Sequence, residues 1–125
     1  MKILLVEDQG NLSQFLFKAL NDLRGNEVRW ARTGQNAISL IRSQLLGQPF
    51  DIVITGAETP GHDSFDVIDA VRSENLATKV IVMLESNAEE GVRARVTKVR
   101  PDEILEKPFK LETFYAAIKK LAPKT

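Results

Sequence analysis

The sequence predicts a doubly wound α/β domain, in which a parallel sheet of five strands carries helices on both faces. Short apolar runs alternate with helical patterns five times along the 125 residues, and strict alternation of this kind is typical of parallel sheets. Apart from the more polar run 27–31, these runs are nearly continuous in apolar residues, as expected for strands that are covered on both sides. Strand order 2-1-3-4-5 is the leading prediction for such a chain, with right-handed crossovers.

Each element is predicted from its own local pattern. The predicted strands are 3–6, 27–31, 52–54, 80–84 and 104–105. Helical spacing predicts five buried helix faces, which are Leu12, Leu16, Ala19, Leu20 and Leu23; Ala37, Ile38, Ile41 and Leu45; Phe65, Ile68 and Val71; Val92, Val96 and Val99; and Leu111, Phe114, Ile118 and Leu121.

Helix boundaries are marked by capping and stop residues. Thr33 is predicted to cap the second helix, while Gly25 and Gly47 are predicted to follow the ends of the first and second. Asn87, with Glu90 three residues later, is predicted to begin the fourth helix.

Composition excludes several classes of protein. There are no cysteines, so disulfides and thiolate metal sites are absent. The 17 basic and 17 acidic residues cancel, which argues against a nucleic-acid or membrane-surface binder. No apolar run approaches a membrane span, and the start lacks the long apolar region of a signal peptide. We expect one cytoplasmic domain over residues 1–125, without an effector domain.

Charged residues follow the first and fifth predicted strands. In the predicted sheet these strand ends lie near the point where the strand order reverses, which is where open α/β sheets bind ligands. Glu7 and Asp8 offer the oxygen ligands that Mg²⁺ prefers, or they are acids that favour a helix start. Lys107 is expected either to contact a phosphoryl group or to neutralise Glu7 and Asp8 in a partly exposed ion pair. The Lys107–Pro108 bond is a candidate cis peptide.

These motifs together resemble the receiver domain of two-component response regulators, a family of flavodoxin-like fold. The resemblance covers the whole chain, through "KILLVEDQ", "DIVITGAETPGHDSFDVIDAVR", "KVIVML" and "ILEKPF". It implies that Glu7 and Asp8 match the pair that holds Mg²⁺, that Lys107 matches the phosphoryl-contacting lysine, and that the Glu58 carbonyl matches a metal ligand. Pro60, Gly61 and Asp63 match the loop that follows.

The departures from the family pattern decide the predicted function. Gly56 stands where the family has its phospho-accepting aspartate. Leu84 stands at the threonine or serine position, although a shift of one or two residues would place Glu85 or Ser86 there. Ile104 replaces the aromatic switch residue, and Arg100-Pro101 replaces the usual Gly-Ala.

The sequence therefore predicts a pseudo-receiver that is not an enzyme and acts by phosphorylation-independent contacts with signalling proteins. Any Mg²⁺ binding is expected to be weak. One alternative is a phosphorelay receiver whose acceptor has moved to Glu58 or Asp63. Another, of a different class, is a flavodoxin-like domain that binds flavin or nucleotide, although "EDQGNLSQ" places two acids where such a phosphate loop would lie.

A basic helix face is the predicted partner surface. It comprises Arg93, Arg95, Lys98 and Arg100, with Tyr115 of the last helix exposed nearby. Arginine and tyrosine are favoured at interface hot spots, but a solvated helix face would show the same pattern. No nucleic-acid, membrane or small-molecule partner is expected.

Overall fold

Strands and helices alternate in the order that the sequence predicts. The computed structural model describes residues 1–23, 25–44, 47–58, 64–74 and 77–123. The strands are β1 Lys2–Val6, β2 Glu27–Ala31, β3 Ile52–Gly56, β4 Lys79–Glu85 and β5 Glu103–Lys107. The helices are α1 Gly10–Asp22, α2 Gly34–Ser43, α3 Ser64–Glu74, α4 Glu90–Lys98 and α5 Leu111–Leu121.

The five strands form one parallel sheet in the order β2-β1-β3-β4-β5, which confirms the predicted fold class. Ile3 of β1 pairs with Ile52 of β3, and Gly56 at the end of β3 pairs with Met83 of β4. The chain reverses its direction of winding between β1 and β3. A crevice therefore opens at the carboxyl ends of these two strands.

Two apolar cores cover the two faces of the sheet, because alternate strand residues point to opposite sides. Ile3, Leu5 and Ile54 pack with the buried faces of α1 and α5. Leu4 and Val53 pack with the helices α2, α3 and α4 on the other face. No helix within the described ranges is long and apolar enough to cross a membrane.

The helix caps agree only in part with those predicted from the sequence. Thr33 accepts a hydrogen bond from the Asn36 N–H at 3.1 Å, which confirms its capping role. The predicted helix start at Asn87 is wrong, because α4 begins at Glu90. The Ala88 N–H donates to the Glu85 carbonyl at 3.0 Å, so residues 85–88 form a turn before the helix.

Other differences concern single positions. Leu111, predicted to be buried, is 37% exposed, because it is the first residue of α5 and lies beyond the core that buries Phe114. The strands β4 and β5 are longer than predicted, since the polar residues Lys79 and Glu103 also pair in the sheet. The predicted roles of Leu45, Pro60, Gly61 and Asp63 lie outside the described residues.

Candidate functional site at the strand ends

A cavity of about 420 Å³ opens at the carboxyl ends of β1, β3 and β4, beside the end of β5. It lies where the strand order reverses, the expected place for a ligand in this fold. Its lining includes every predicted residue of the phosphoryl and metal sites except Ser86. The lining residues are Glu7, Asp8, Gln9, Gly56, Ala57, Glu58, Met83, Leu84, Glu85, Asn87, Ala88, Glu89, Val92 and Lys107.

Glu7 is held firmly at the end of β1. It is 1% exposed, and its N–H donates to the Ala31 carbonyl at 3.1 Å. Its own carbonyl accepts a hydrogen bond from the indole Nε1 of Trp30 at 3.1 Å. Its side-chain Oε2 accepts from the N–H groups of Asp8 and Gln9 at 3.0 and 3.1 Å. Both the backbone and the carboxylate of Glu7 are thus fixed.

Lys107 completes this arrangement from the end of β5. Its Nζ donates to Glu7 Oε1 at 2.8 Å and lies 3.4 Å from Glu85 Oε1. The predicted ion pair therefore forms, with Glu7 buried at 2% side-chain accessibility and Lys107 partly buried at 13%. A buried charge is stable only while its partner is present. The Lys107–Pro108 peptide bond is cis, as the sequence suggests.

Gly56 ends β3 in the wall of this cavity and is buried. The neighbouring Thr55 hydroxyl donates to the Gly56 carbonyl at 3.0 Å, so it is already bonded within the strand. Ala57 follows, and its N–H donates to the Met83 carbonyl at 2.8 Å. Residues 55–57 therefore offer the cavity no carboxylate and no free hydroxyl.

The predicted magnesium ligands line the same cavity, but protein donors already engage the carboxylate of Glu7. Both oxygens of Glu7 already accept hydrogen bonds from protein donors, whereas Asp8 and Glu58 are exposed at the cavity rim. Across the described part of the chain, no group of three or more acidic or histidine side chains could hold a metal ion. Mg²⁺ is usually held by one or two carboxylates together with waters, and here it would have to displace the Lys107 ammonium group or the two backbone N–H groups to reach the Glu7 oxygens.

The three candidate phosphoryl-contact and switch residues differ in exposure. Leu84 is buried at 3% exposure and lines the cavity near the end of β4. Ser86 lies beyond the strand and is exposed. Ile104 is 39% exposed on the edge strand β5. Of these three side chains, only Leu84 reaches the cavity.

The basic residues of α4 do not form one strip. The Arg93 guanidinium bonds to Glu106 Oε1 at 2.7 Å on the β5 side, whereas Arg95 lies over the Phe65 ring of α3, 3.7 Å from its centroid. Residues two apart on a helix point to nearly opposite sides, so the predicted continuous face is wrong for these two. Lys98 and Arg100 are exposed.

Tyr115 is also not an exposed aromatic beside α4. It is half-buried, and its hydroxyl donates to the Ala19 carbonyl of α1 at 3.0 Å. Its ring lies 6.2 Å from that of Phe114. Tyr115 therefore belongs to the contact between α1 and α5.

Two features of this region were missed by reasoning from the sequence. Arg93 binds the carbonyls of Glu85, Ser86 and Ala88, which connects the β4–α4 turn to β5. No local pattern indicates such contacts. Phe15 is 54% exposed on α1, and helical spacing could have found it, because it falls outside the buried face that includes Leu16.

Comparison with known proteins identifies a family. The model of the response regulator receiver domain matches residues 3–119. Transcriptional regulatory protein TcrA of Mycobacterium tuberculosis is 27% identical over 98% of this chain, which spans 46% of TcrA. The probable chemotaxis protein CheY of Rhizobium etli is 26% identical over 94% of this chain and 89% of its own length.

A solved structure shows the same fold. The receiver domain of sensor histidine kinase PA1611 from Pseudomonas aeruginosa, crystallised with a magnesium ion in its active site cleft, has a TM-score of 0.77 and 24% identity, with 96% of each chain covered. The fold, the sheet order and the family match over 3–119 agree. This chain belongs to the response regulator receiver domain family.

Proposed function

We propose that this chain is a pseudo-receiver of two-component signalling, which is not phosphorylated, is not an enzyme and acts through contacts with other signalling proteins. Receiver domains in general are signalling domains that interact with proteins such as kinases. The observation that carries the proposal is Gly56, which ends β3 in the wall of the cavity.

Phosphoryl transfer requires an attacking oxygen in line with phosphorus, positioned positive charge and usually Mg²⁺. Gly56 has no side-chain oxygen. The remaining carboxylates of the cavity are Glu7, which is bound to Lys107, and exposed acids such as Asp8 and Glu58, which lie in the segments that follow β1 and β3. Lys107 supplies the positioned positive charge, but the end of β3 supplies no nucleophile.

The Lys107–Glu7 pair supports the same proposal. In the PA1611 receiver a magnesium ion is coordinated in the cleft. Here Glu7 directs one oxygen to Lys107 and the other to two backbone N–H groups. A metal ion would have to displace these donors, so we infer that Mg²⁺ binding is weak.

The β4–α4 turn supports a fixed conformation. The Arg93 guanidinium donates hydrogen bonds to three backbone carbonyls of this turn and to the carboxylate of Glu106 in β5. Leu84 and Ile104 provide neither a hydroxyl nor an aromatic ring that could respond to a phosphoryl group. The proposed signal is therefore a surface of constant shape.

Intact-protein mass spectrometry after incubation with acetyl phosphate and Mg²⁺ tests the proposal. We expect no phosphoryl adduct on the wild-type chain. A stoichiometric adduct would overturn the proposal. If that adduct disappeared in Glu58→Gln but remained in Asp8→Asn, the acceptor would have moved to Glu58 and the chain would be a working phosphorelay receiver.

A further inference from the structure

We propose that two copies of this chain associate through the outer edge of β2, with the two β2 strands antiparallel and related by a two-fold axis at Val28. Such association requires no phosphoryl group and does not depend on the proposed function. The strand β2 lies at one end of the sheet order, so its backbone has a neighbouring strand on one side only. An unpaired strand edge is a template for a strand of another chain.

Two hydrogen bonds fix which backbone groups of β2 face outward. The Glu27 N–H donates to the Met1 carbonyl at 2.8 Å, and at the other end of the strand the Ala31 carbonyl accepts from the N–H of the residue after β1 at 3.1 Å. In a parallel ladder, alternate residues direct both their N–H and their C=O to the same neighbour. The odd-numbered residues of β2 therefore bond to β1, whereas Val28 and Trp30 direct their backbone groups outward.

The side chain of Trp30 holds this strand in place from the side of α1. Its indole Nε1 donates to the Glu7 carbonyl at 3.1 Å, and its ring lies 5.7 Å from that of Phe17. The Arg32 guanidinium lies 4.7 Å from the centroid of the same ring. These contacts use the side chain and leave the outward backbone groups of Trp30 untouched, so the edge is fixed in an extended form that can pair.

The charges of β2 are complementary to themselves about Val28. An antiparallel pair forms its hydrogen bonds where outward-facing residues lie opposite each other, so a two-fold axis passes at Val28, Arg29 or Trp30. An axis at Val28 sets Glu27 of each copy opposite Arg29 of the other. These two residues then form the closer, non-hydrogen-bonded pair, with about 4.5 Å between Cα atoms, and opposite charges in such a pair are stabilising.

The other two axes lack this match. An axis at Arg29 sets two arginines opposite each other in the closer pair, which is destabilising. An axis at Trp30 sets Arg29 opposite Ala31, and it carries Glu27 past the end of the opposing strand, because β2 ends at Ala31. Charge therefore selects the axis at Val28.

Both charges of β2 are available to a second copy. Arg29 is exposed and forms no ion pair with any residue that the structure describes. The side chain of Glu27 is 60% exposed, and its ion pair with Lys2 is long, at 3.8 Å.

The opposite edge of the sheet differs in this respect. On β5, Glu106 pairs with Arg93 at 2.7 Å and Glu103 pairs with Lys120 at 2.8 Å. These acids are neutralised by short contacts within the chain, so the β2 edge is the one whose charges favour a second copy.

Sedimentation velocity of the wild-type chain over a range of concentrations tests the proposal. We expect the sedimentation coefficient to rise with concentration toward that of a dimer, and added salt to weaken the association. Glu27→Arg and Arg29→Glu each set like charges opposite each other, so each should weaken the dimer at least about tenfold. Lys98→Glu is the matched control, since Lys98 is exposed on α4, beside the opposite edge, and should leave the dimer unchanged.

An equimolar mixture of Glu27→Arg and Arg29→Glu gives a result that misfolding cannot imitate. In a mixed pair, positions 27 and 29 are both positive in one copy and both negative in the other, so both cross-strand contacts become attractive. We expect the mixture to dimerise at a concentration where each variant alone is monomeric.

Hydrogen exchange of the wild-type chain locates the interface. Raising the protein concentration should slow deuterium exchange at the Val28 amide, which enters the interface, and leave the Arg29 amide unchanged, because β1 already binds it.

Four results would each overturn the inference. They are a wild-type chain that stays monomeric at every concentration, a dimer that Arg29→Glu leaves intact, a variant mixture that stays monomeric, and a Val28 exchange rate that does not change with concentration. A phosphoryl adduct on the chain would overturn the proposed function and leave the β2 interface standing.

Discussion

At the scale of single residues, Glu7 and Lys107 form the centre of the candidate site. They are separated by 100 positions in the chain, and their side-chain atoms meet at 2.8 Å because parallel strands end at one edge of the sheet. Glu7 is almost fully buried, so its charge depends on Lys107 and on two backbone N–H groups. This dependence gives the pair a measurable role in stability.

Lys107→Met should destabilise the fold by about 3 kcal/mol, because it leaves a buried carboxylate without its cation. Urea unfolding followed by circular dichroism measures the change. Lys110→Met is the matched control, since Lys110 is exposed and should tolerate the change within about 0.5 kcal/mol. Equal midpoints for the two variants would show that the pair does not support the fold.

Arg100 gives a second prediction at this scale. It follows α4 with a φ of 51°, in the left-handed region that a residue with a side chain adopts at a cost. Glycine is favoured at this position after a helix, so Arg100→Gly should stabilise the chain by about 1 kcal/mol. The bond from Arg72 to the Arg100 carbonyl involves the backbone and should survive.

The control for Arg100→Gly is Ala94→Gly, which places glycine at an exposed position in the middle of α4 and should cost about 1 kcal/mol. Thermal unfolding of both variants measures the two effects. The explanation from backbone conformation fails if both substitutions shift the midpoint in the same direction.

The sequence predicts the site residues better than their contacts. Glu7, Gly56 and Lys107 could be placed at one edge because each follows an apolar strand, and strand periodicity is a local property. The burial of the Glu7–Lys107 pair could not be predicted, since it depends on how β1 and β5 pack with their neighbours. The partners of Arg93 and Arg95 depend on helix rotation and on distant elements, for the same reason.

At the scale of elements, α4 is attached to the sheet differently from what its charge pattern suggests. Arg93 crosses from α4 to the β4–α4 turn and to Glu106 of β5, while Arg95 contacts Phe65 of α3. The helix is therefore attached on both sides by its arginines. Alanine substitution of these residues to test partner binding would also remove internal contacts.

Arg93→Met should loosen the β4–α4 turn. The variant keeps the aliphatic stem but loses the bonds to the three carbonyls and to Glu106, and bonds to charged groups contribute about 1.5–3 kcal/mol each. We expect the Ala88 amide to exchange with deuterium at least about tenfold faster. Hydrogen exchange by NMR measures this rate.

Lys98→Met serves as the control for the turn, because Lys98 is exposed on the same helix. Its Ala88 exchange rate should equal that of the wild type. If Arg93→Met also leaves the rate unchanged, the turn is held by other contacts and the proposed fixed conformation loses its structural basis.

The element boundaries show where local patterns lose accuracy. The centres of all five strands lie where the sequence predicts. The polar ends of β4 and β5 belong to the strands because they pair with a neighbouring strand, which a local pattern does not reveal. Asn87 and Glu90 match a capping pattern, yet α4 begins only at Glu90. The backbone before it forms a turn over residues 85–88, in which the Ala88 N–H donates to the Glu85 carbonyl.

At the scale of the whole molecule, the chain has the architecture of the receiver domain family. The sheet order matches the fold of the family, and an apolar core covers each face of the sheet. Fold class follows from the alternation of elements and therefore could be predicted from the sequence. Function could not be predicted from the fold alone, because it depends on particular side chains at the strand ends.

Gly56→Asp should return a carboxylate to the cavity beside Lys107 and Glu7. We expect Mg²⁺ to bind this variant at least about tenfold more tightly than the wild type, a difference of about 1.4 kcal/mol, as measured by isothermal titration calorimetry. Ala57→Asp is the control for added charge one residue further along. Equal affinities for the variant and the wild type would show that position 56 does not define the metal site.

The most direct test of the central claim compares amide spectra of the wild-type chain before and after addition of acetyl phosphate and Mg²⁺. If the chain signals by a constant surface, the signals of the β4–α4 turn, α4 and β5 will keep their positions. Movement of those signals in most of the molecules, reversed when acetyl phosphate is removed, would show a working phosphorylation switch and contradict the account.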